Sequence, residues 1–60
     1  LHRLENIRIP ADFDFHSMNS LTIEARQKLS RIRPKNIGQA SRIPGVSPAD
    51  VNVLLVKFGR

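Results

Sequence analysis

The sequence has no cysteine. A disulfide framework and a thiolate zinc site are therefore excluded. Its two histidines, His2 and His16, are too few to make a structural metal site alone. Aromatic residues are scarce: Phe13, Phe15 and Phe58 are all there are. No apolar run approaches the roughly 20 residues of a membrane span, and no signal-peptide pattern opens the chain. At 40% apolar and 25% charged residues, the composition is that of a folded domain, not a disordered tail. Sixty residues make one small domain at most. A domain of that size buries only about 60% of the surface its unfolded chain exposes, so its stability is marginal. The first residues, Leu1-His2-Arg3-Leu4-Glu5, read as a helix entered partway, which predicts a piece of a longer protein.

What the sequence does have is concentrated positive charge. Arg26, Lys28, Arg31, Arg33, Lys35 and Arg42 share the span from Glu24 to Arg42 with that single acid, and this span carries the whole net charge of +5. Such a patch suits a polyanionic partner, and it equally suits a solvated helix face.

The local patterns predict an all-α fold: a small bundle of three to four short helices behind an extended connector. The helices are expected over about 1–6, 23–33, 37–42 and 48–58. In the connector, Ile7, Ile9, Ala11, Phe13 and Phe15 alternate, so one face is buried. Pro10 argues against a central strand. Asp12 and Asp14 flank the phenylalanines and would repel phosphate, so these rings read as core anchors, not base-stacking platforms. Thr22 is the expected N-cap of the second helix, with Ala25, Leu29 and Ile32 as its buried stripe and Glu24–Lys28 as an i,i+4 pair. Pro34 stops it. Asn36 caps the next short helix. Ile43-Pro44-Gly45-Val46 has the type II turn signature. Ser47-Pro48-Ala49-Asp50 reads as a capping box with proline at the first helical position. In the last helix Val51, Leu54, Leu55 and Phe58 form the core face, while Val53 and Val56 lie on the far side. A helix apolar on two sides implies a second packing surface.

No catalytic constellation is visible. The acids are scattered, no histidine is placed to activate a serine, and there is no glycine-rich phosphate loop. Ile43-Pro44-Gly45-Val46-Ser47 resembles a helix-hairpin-helix hairpin, with Ser47 where a second glycine belongs. A helix-turn-helix fits less well, because the spacing from Ala40 to Gly45 is one residue too long and Val53 and Val56 offer no donors to base edges.

A more specific resemblance covers nearly the whole chain. Ile32-Arg33-Pro34, Ile37-Gly38-Gln39-Ala40-Ser41-Arg42-Ile43, Gly45-Val46-Ser47-Pro48-Ala49 and Leu54-Leu55-Val56 resemble the C-terminal signature of the MnmG family, also called GidA. Ile9 to Phe15 and Leu21 to Leu29 are similar to the same family. Asn36 stands where Thr or Ser is frequent, Pro44 where Ser is frequent, and the chain ends at Gly59-Arg60 without the common basic tail.

The resemblance implies a cytoplasmic FAD-dependent parent enzyme that uses NADH, is a homodimer, and does not enter a membrane. With the GTPase MnmE it modifies carbon 5 of the tRNA wobble uridine. The family's C-terminal helical domain is associated with MnmE docking and tRNA binding, and no flavin-binding, catalytic or metal residue carries over to these positions. On that footing Lys28, Arg31, Arg33, Lys35 and Arg42 are the candidates for contact with tRNA or an acidic partner. Val53, Val56 and Phe58 are the candidates for packing on a partner or the parent. Gly38, Gln39, Ala40, Ser41, Arg42, Gly45, Ser47 and Pro48 form the family motif. A free-standing helix-hairpin-helix binder and a purely structural cap remain as alternatives.

Overall fold

The computed structural model describes residues 3–59. Three α-helices order the chain: α1 (Ile23–Ile32), α2 (Ile37–Ser41) and α3 (Pro48–Phe58). Two single 3₁₀ turns precede them, at Leu4–Asn6 and Phe15–Ser17. The expected first helix is thus a 3₁₀ turn where it is described, with Leu1 and His2 outside the described residues.

The connector is extended and pinned. Ile9 N–H donates to Lys35 O and Ile37 N–H to Ile7 O, both at 3.0 Å, around a lone antiparallel bridge between Arg8 and Asn36. This pairing turns Ile9 inward, and Phe15 follows it into the core at 1% exposure. Ala11 falls in a turn and is exposed, so the alternation breaks there. The three phenylalanines form one cluster. Phe13 meets Phe15 edge-on at 5.2 Å and Phe58 edge-on at 5.0 Å, which ties the connector to the end of α3.

Each helix begins on an oxygen cap. Thr22 Oγ1 accepts from Ala25 N–H, Asn36 Oδ1 from Gln39 N–H, and Ser47 Oγ from Asp50 N–H. The capping box at Ser47 is complete, because Ser47 N–H also donates to Asp50 Oδ2 at 3.0 Å. The turn before it closes through Val46 N–H to Ile43 O, with Gly45 at φ +100°.

α1 ends one residue sooner than expected. Pro34 disfavours right-handed helix at Arg33, and the backbone leaves through the left-handed region at φ 54°, ψ 62°. Ala25 and Leu29 are fully buried, but Ile32 is 49% exposed and stands outside the predicted stripe. The Phe15–Ser17 turn packs on α1, and Arg26 and Ser30 are half-buried in its place. α2 packs against both the Leu4–Asn6 turn and α3. Ile37, Ala40, Leu54, Ile43 and Val46 close the core there.

Candidate functional site

Two surfaces stand out, and they lie on different helices. The first is the cationic side of α1. Arg31 is exposed and Lys28 half-buried, and together with Gln27 they line a shallow depression of about 140 Å³. The i,i+3 spacing puts both cations over one stretch of helix surface. Glu24, expected to pair with Lys28, turns instead onto Gly45, where a Cβ would meet its Oε2 at 2.9 Å. Lys28 is left beside Arg31 without that acid.

Two of the other predicted cations are already engaged. Arg33 donates from Nη1 to Phe13 O, and its guanidinium lies 5.5 Å above the Phe15 ring. Its left-handed backbone swings the side chain off the flank it was expected to share with Arg26. Arg42 pairs with Glu5 at 2.8 Å. Lys35 has an exposed side chain, while its backbone N–H is held by Gln39 Oε1 at 2.9 Å.

The second surface is the outer side of α3. Val56 is 79% exposed. Val53 is half-buried and touches the core, so it is less outward than its spacing suggests. Both line a mostly apolar groove of about 500 Å³ with Met18, Ser20, Asn52 and Lys57. Phe58 is not in this groove; it is half-buried against Phe13. Met18, Ser20 and Asn52 had no distinguishing sequence pattern, apart from Met18 being the chain's one methionine, a residue suited to irregular gaps.

The shared family motif builds the scaffold between these surfaces. Gly38 is buried because Glu5 lies across it: a Cβ there would come within 2.8 Å of Glu5 Cγ. Ala40 is fully buried. Ser41 Oγ donates to Gly38 O at 2.7 Å. Gly45, Ser47 and Pro48 form the turn and start α3.

The deepest polar group is Asp50, at 1% exposure. Its Oδ1 accepts from Thr22 N–H at 3.0 Å. Its Oδ2 accepts from Thr22 Oγ1, Ser47 N–H and Ser47 Oγ. Burial pushes the carboxyl up, but the Thr22 and Ser47 amides and then the two hydroxyls together outweigh it. They hold the group below the ordinary carboxylate range.

The hairpin offers little to a phosphate. Val46 N–H is taken by Ile43 O, Ser47 N–H by Asp50, and Glu24 covers Gly45. The same arrangement fails as a dinucleotide cradle. Glu5 roofs Gly38 and Glu24 roofs Gly45, so a pyrophosphate would meet a carboxylate at either glycine. The described residues do not fit FAD or NADH. Nor do three metal-capable side chains gather among them. No helix is long and apolar enough to cross a membrane among the described residues.

Fold and surfaces together define a small all-helical bundle domain with a core of its own and no assembled reaction centre among the described residues. The chain belongs to the family described as the tRNA modifying enzyme MnmG/GidA C-terminal helical bundle, which matches residues 1–60. It is 63% identical over 60 residues to the tRNA uridine 5-carboxymethylaminomethyl modification enzyme MnmG of Phocaeicola vulgatus, covering 100% of this chain and 10% of that protein. The protein of the same name from Flavobacterium psychrophilum is 62% identical over the same coverage. The fold matches a crystal structure of Aquifex aeolicus GidA with a TM-score of 0.87 and 47% identity, over 95% of this chain and 9% of that one. The chain thus spans about a tenth of the length of the relatives it matches.

Proposed function

We propose that this bundle is the C-terminal partner-docking and tRNA-positioning domain of a cytoplasmic, homodimeric flavoprotein. With the GTPase MnmE, that parent adds an aminomethyl or carboxymethylaminomethyl group to carbon 5 of the tRNA wobble uridine. FAD and NADH belong to the parent's other parts. The reading rests on family membership and on one observation above all: the cationic depression and the mostly apolar groove share no lining residue. Lys28 and Arg31 sit on α1 away from the Val53–Val56 groove on α3. Phosphate contacts of this kind position a nucleic acid without reading its sequence. Lys35 is the third candidate, whereas Arg33 is engaged by Phe13 and Arg42 by Glu5.

The helix-hairpin-helix alternative loses support because its amides are engaged internally. A structural cap is the reading that survives if both surfaces prove silent. The deciding experiment measures tRNA affinity of the full-length enzyme carrying Lys28→Ala and Arg31→Ala. We expect about tenfold weaker binding at low salt. Unchanged affinity would remove the tRNA role from this domain.

A further inference from the structure

We infer that Arg8, Asn36 and Gln39, with Lys35 beside them, form a second phosphate contact, built where the connector pairs with the residues ahead of α2. This rests on the tRNA-positioning reading above and names the residues of a site apart from the α1 depression. It brings in Arg8, which lies outside the charged span from Glu24 to Arg42 in the sequence.

The bridge assembles the site. Arg8 stands directly opposite Asn36, and the hydrogen bonds from Ile9 N–H to Lys35 O and from Ile37 N–H to Ile7 O flank that pair. A pair flanked in this way has its Cα atoms only about 4.5 Å apart, so the two side chains are neighbours. Arg8, Lys35 and Gln39 are exposed, and Asn36 is half-buried.

The polar groups left over here are donors. Gln39 Oε1 accepts from Lys35 N–H at 2.9 Å, and Asn36 Oδ1 accepts from Gln39 N–H at 2.8 Å. Only the oxygen end of a carboxamide can meet a backbone N–H, so both amides have a defined orientation. Their NH₂ ends form no hydrogen bond among the described residues. To these the site adds a guanidinium and an ammonium. Glu5, whose turn packs on α2, is taken by Arg42 at 2.8 Å, and neither Arg8 nor Lys35 has an ion-pair partner among the described residues. Cations and amide donors without a carboxylate among them select an anion. The side chains carry this selection, because the backbone N–H groups of Ile37 and Gln39 are already bonded to Ile7 O and Asn36 Oδ1.

RNA phosphate fits this edge better than an acidic protein does. A protein interface has an apolar centre, whereas contacts to nucleic acid are polar and positively charged. Of the apolar residues interleaved with the donors, Ile9 and Ile37 are buried and Ile7 is half-buried. Gln39 thereby has two tasks in one amide: its oxygen tethers Lys35, and its nitrogen is left for the phosphate.

The test measures tRNA affinity of the full-length enzyme by filter binding over a series of salt concentrations. Arg8→Gln is expected to weaken binding about three- to tenfold at low salt and to lower the slope of log affinity against log salt by about 0.7–0.9. Gln39→Glu separates contact from structure. Its carboxylate can still accept from Lys35 N–H, and an acid in the first turn suits a helix start, so the melting temperature should hold or rise. The same change replaces a donor with a negative charge, so affinity should fall at least about tenfold. Wild-type-like affinity in both variants, with binding weakened by Lys28→Ala and Arg31→Ala, overturns the inference and leaves the tRNA reading in place. Unchanged affinity in all four removes both. If Arg8→Gln and Gln39→Glu weaken binding of purified MnmE and leave tRNA affinity intact, the edge serves an acidic protein and the inference is overturned.

Discussion

Asp50 takes four hydrogen bonds on two oxygens, from residues on two helix starts. Its folded pKa lies below the ordinary value, so it contributes stability above the unfolded pKa of about 3.9. That stability is lost as pH falls through the folded value. Acid denaturation should therefore steepen below about pH 4, and Asp50→Asn should flatten that limb. At neutral pH the same substitution should cost about 2 kcal/mol in urea titration, since the amide cannot accept from all four donors. Half of this was readable: Ser47 and Asp50 stand at box spacing. The reach to Thr22, 28 positions away, was not, because a capping pattern reports only its own turn. Arg33 teaches the converse. Its sequence position after Ile32 suggested a helix flank, but Pro34 sets the backbone and the backbone sets the side chain. Arg33→Lys keeps the charge and loses the planar fork. We expect it to destabilise the fold by about 1 kcal/mol while leaving tRNA affinity of the folded enzyme near wild type, a pairing checked by melting and filter binding.

Glycines at two element junctions are defined by what crosses them. Gly38 on α2 is roofed by Glu5, whose carboxylate pairs with Arg42 one turn on. Gly38→Ala must push Glu5 away and loosen the Leu4–Asn6 turn. An exposed ion pair contributes little alone, so the expected loss of about 1 kcal/mol comes mainly from displaced packing. In a Glu5→Ala background that loss should vanish, and a double-mutant cycle measures it. Gly45→Ala should cost about 1–2 kcal/mol by denaturation, because φ +100° strains any L side chain and Glu24 must also yield. The elements themselves were largely legible, since caps, Pro48 and the Pro44-Gly45 turn are local chemistry. Ile32 was misjudged because helical periodicity names a face, not its width. The Phe15–Ser17 turn rotated the buried side of α1 away from it.

Over the whole molecule, the +5 charge divides into engaged and unengaged groups. Arg33 and Arg42 have partners within the domain; Lys28, Arg31 and Lys35 face outward or lie at the surface. Each phosphate contact contributes about 0.7–0.9 to the slope of log affinity against log salt. Replacing Lys28 and Arg31 together should therefore lower the slope for tRNA binding by about 1.5, and replacing Arg42 should leave it nearly unchanged. The charge run was legible as composition. Its division was not, because Glu5 meets Arg42 only through tertiary packing, and the groove at Met18 needed the loop to fold beside α3. The Thr22–Asp50–Ser47 junction has a last consequence, for motion. One carboxylate starts α1 and α3 at once, so neither first turn can fray without releasing the other's cap. Amide protons at the beginnings of these two helices should exchange with solvent through a single shared opening, and the two grooved and charged faces should loosen or hold as one cooperative unit.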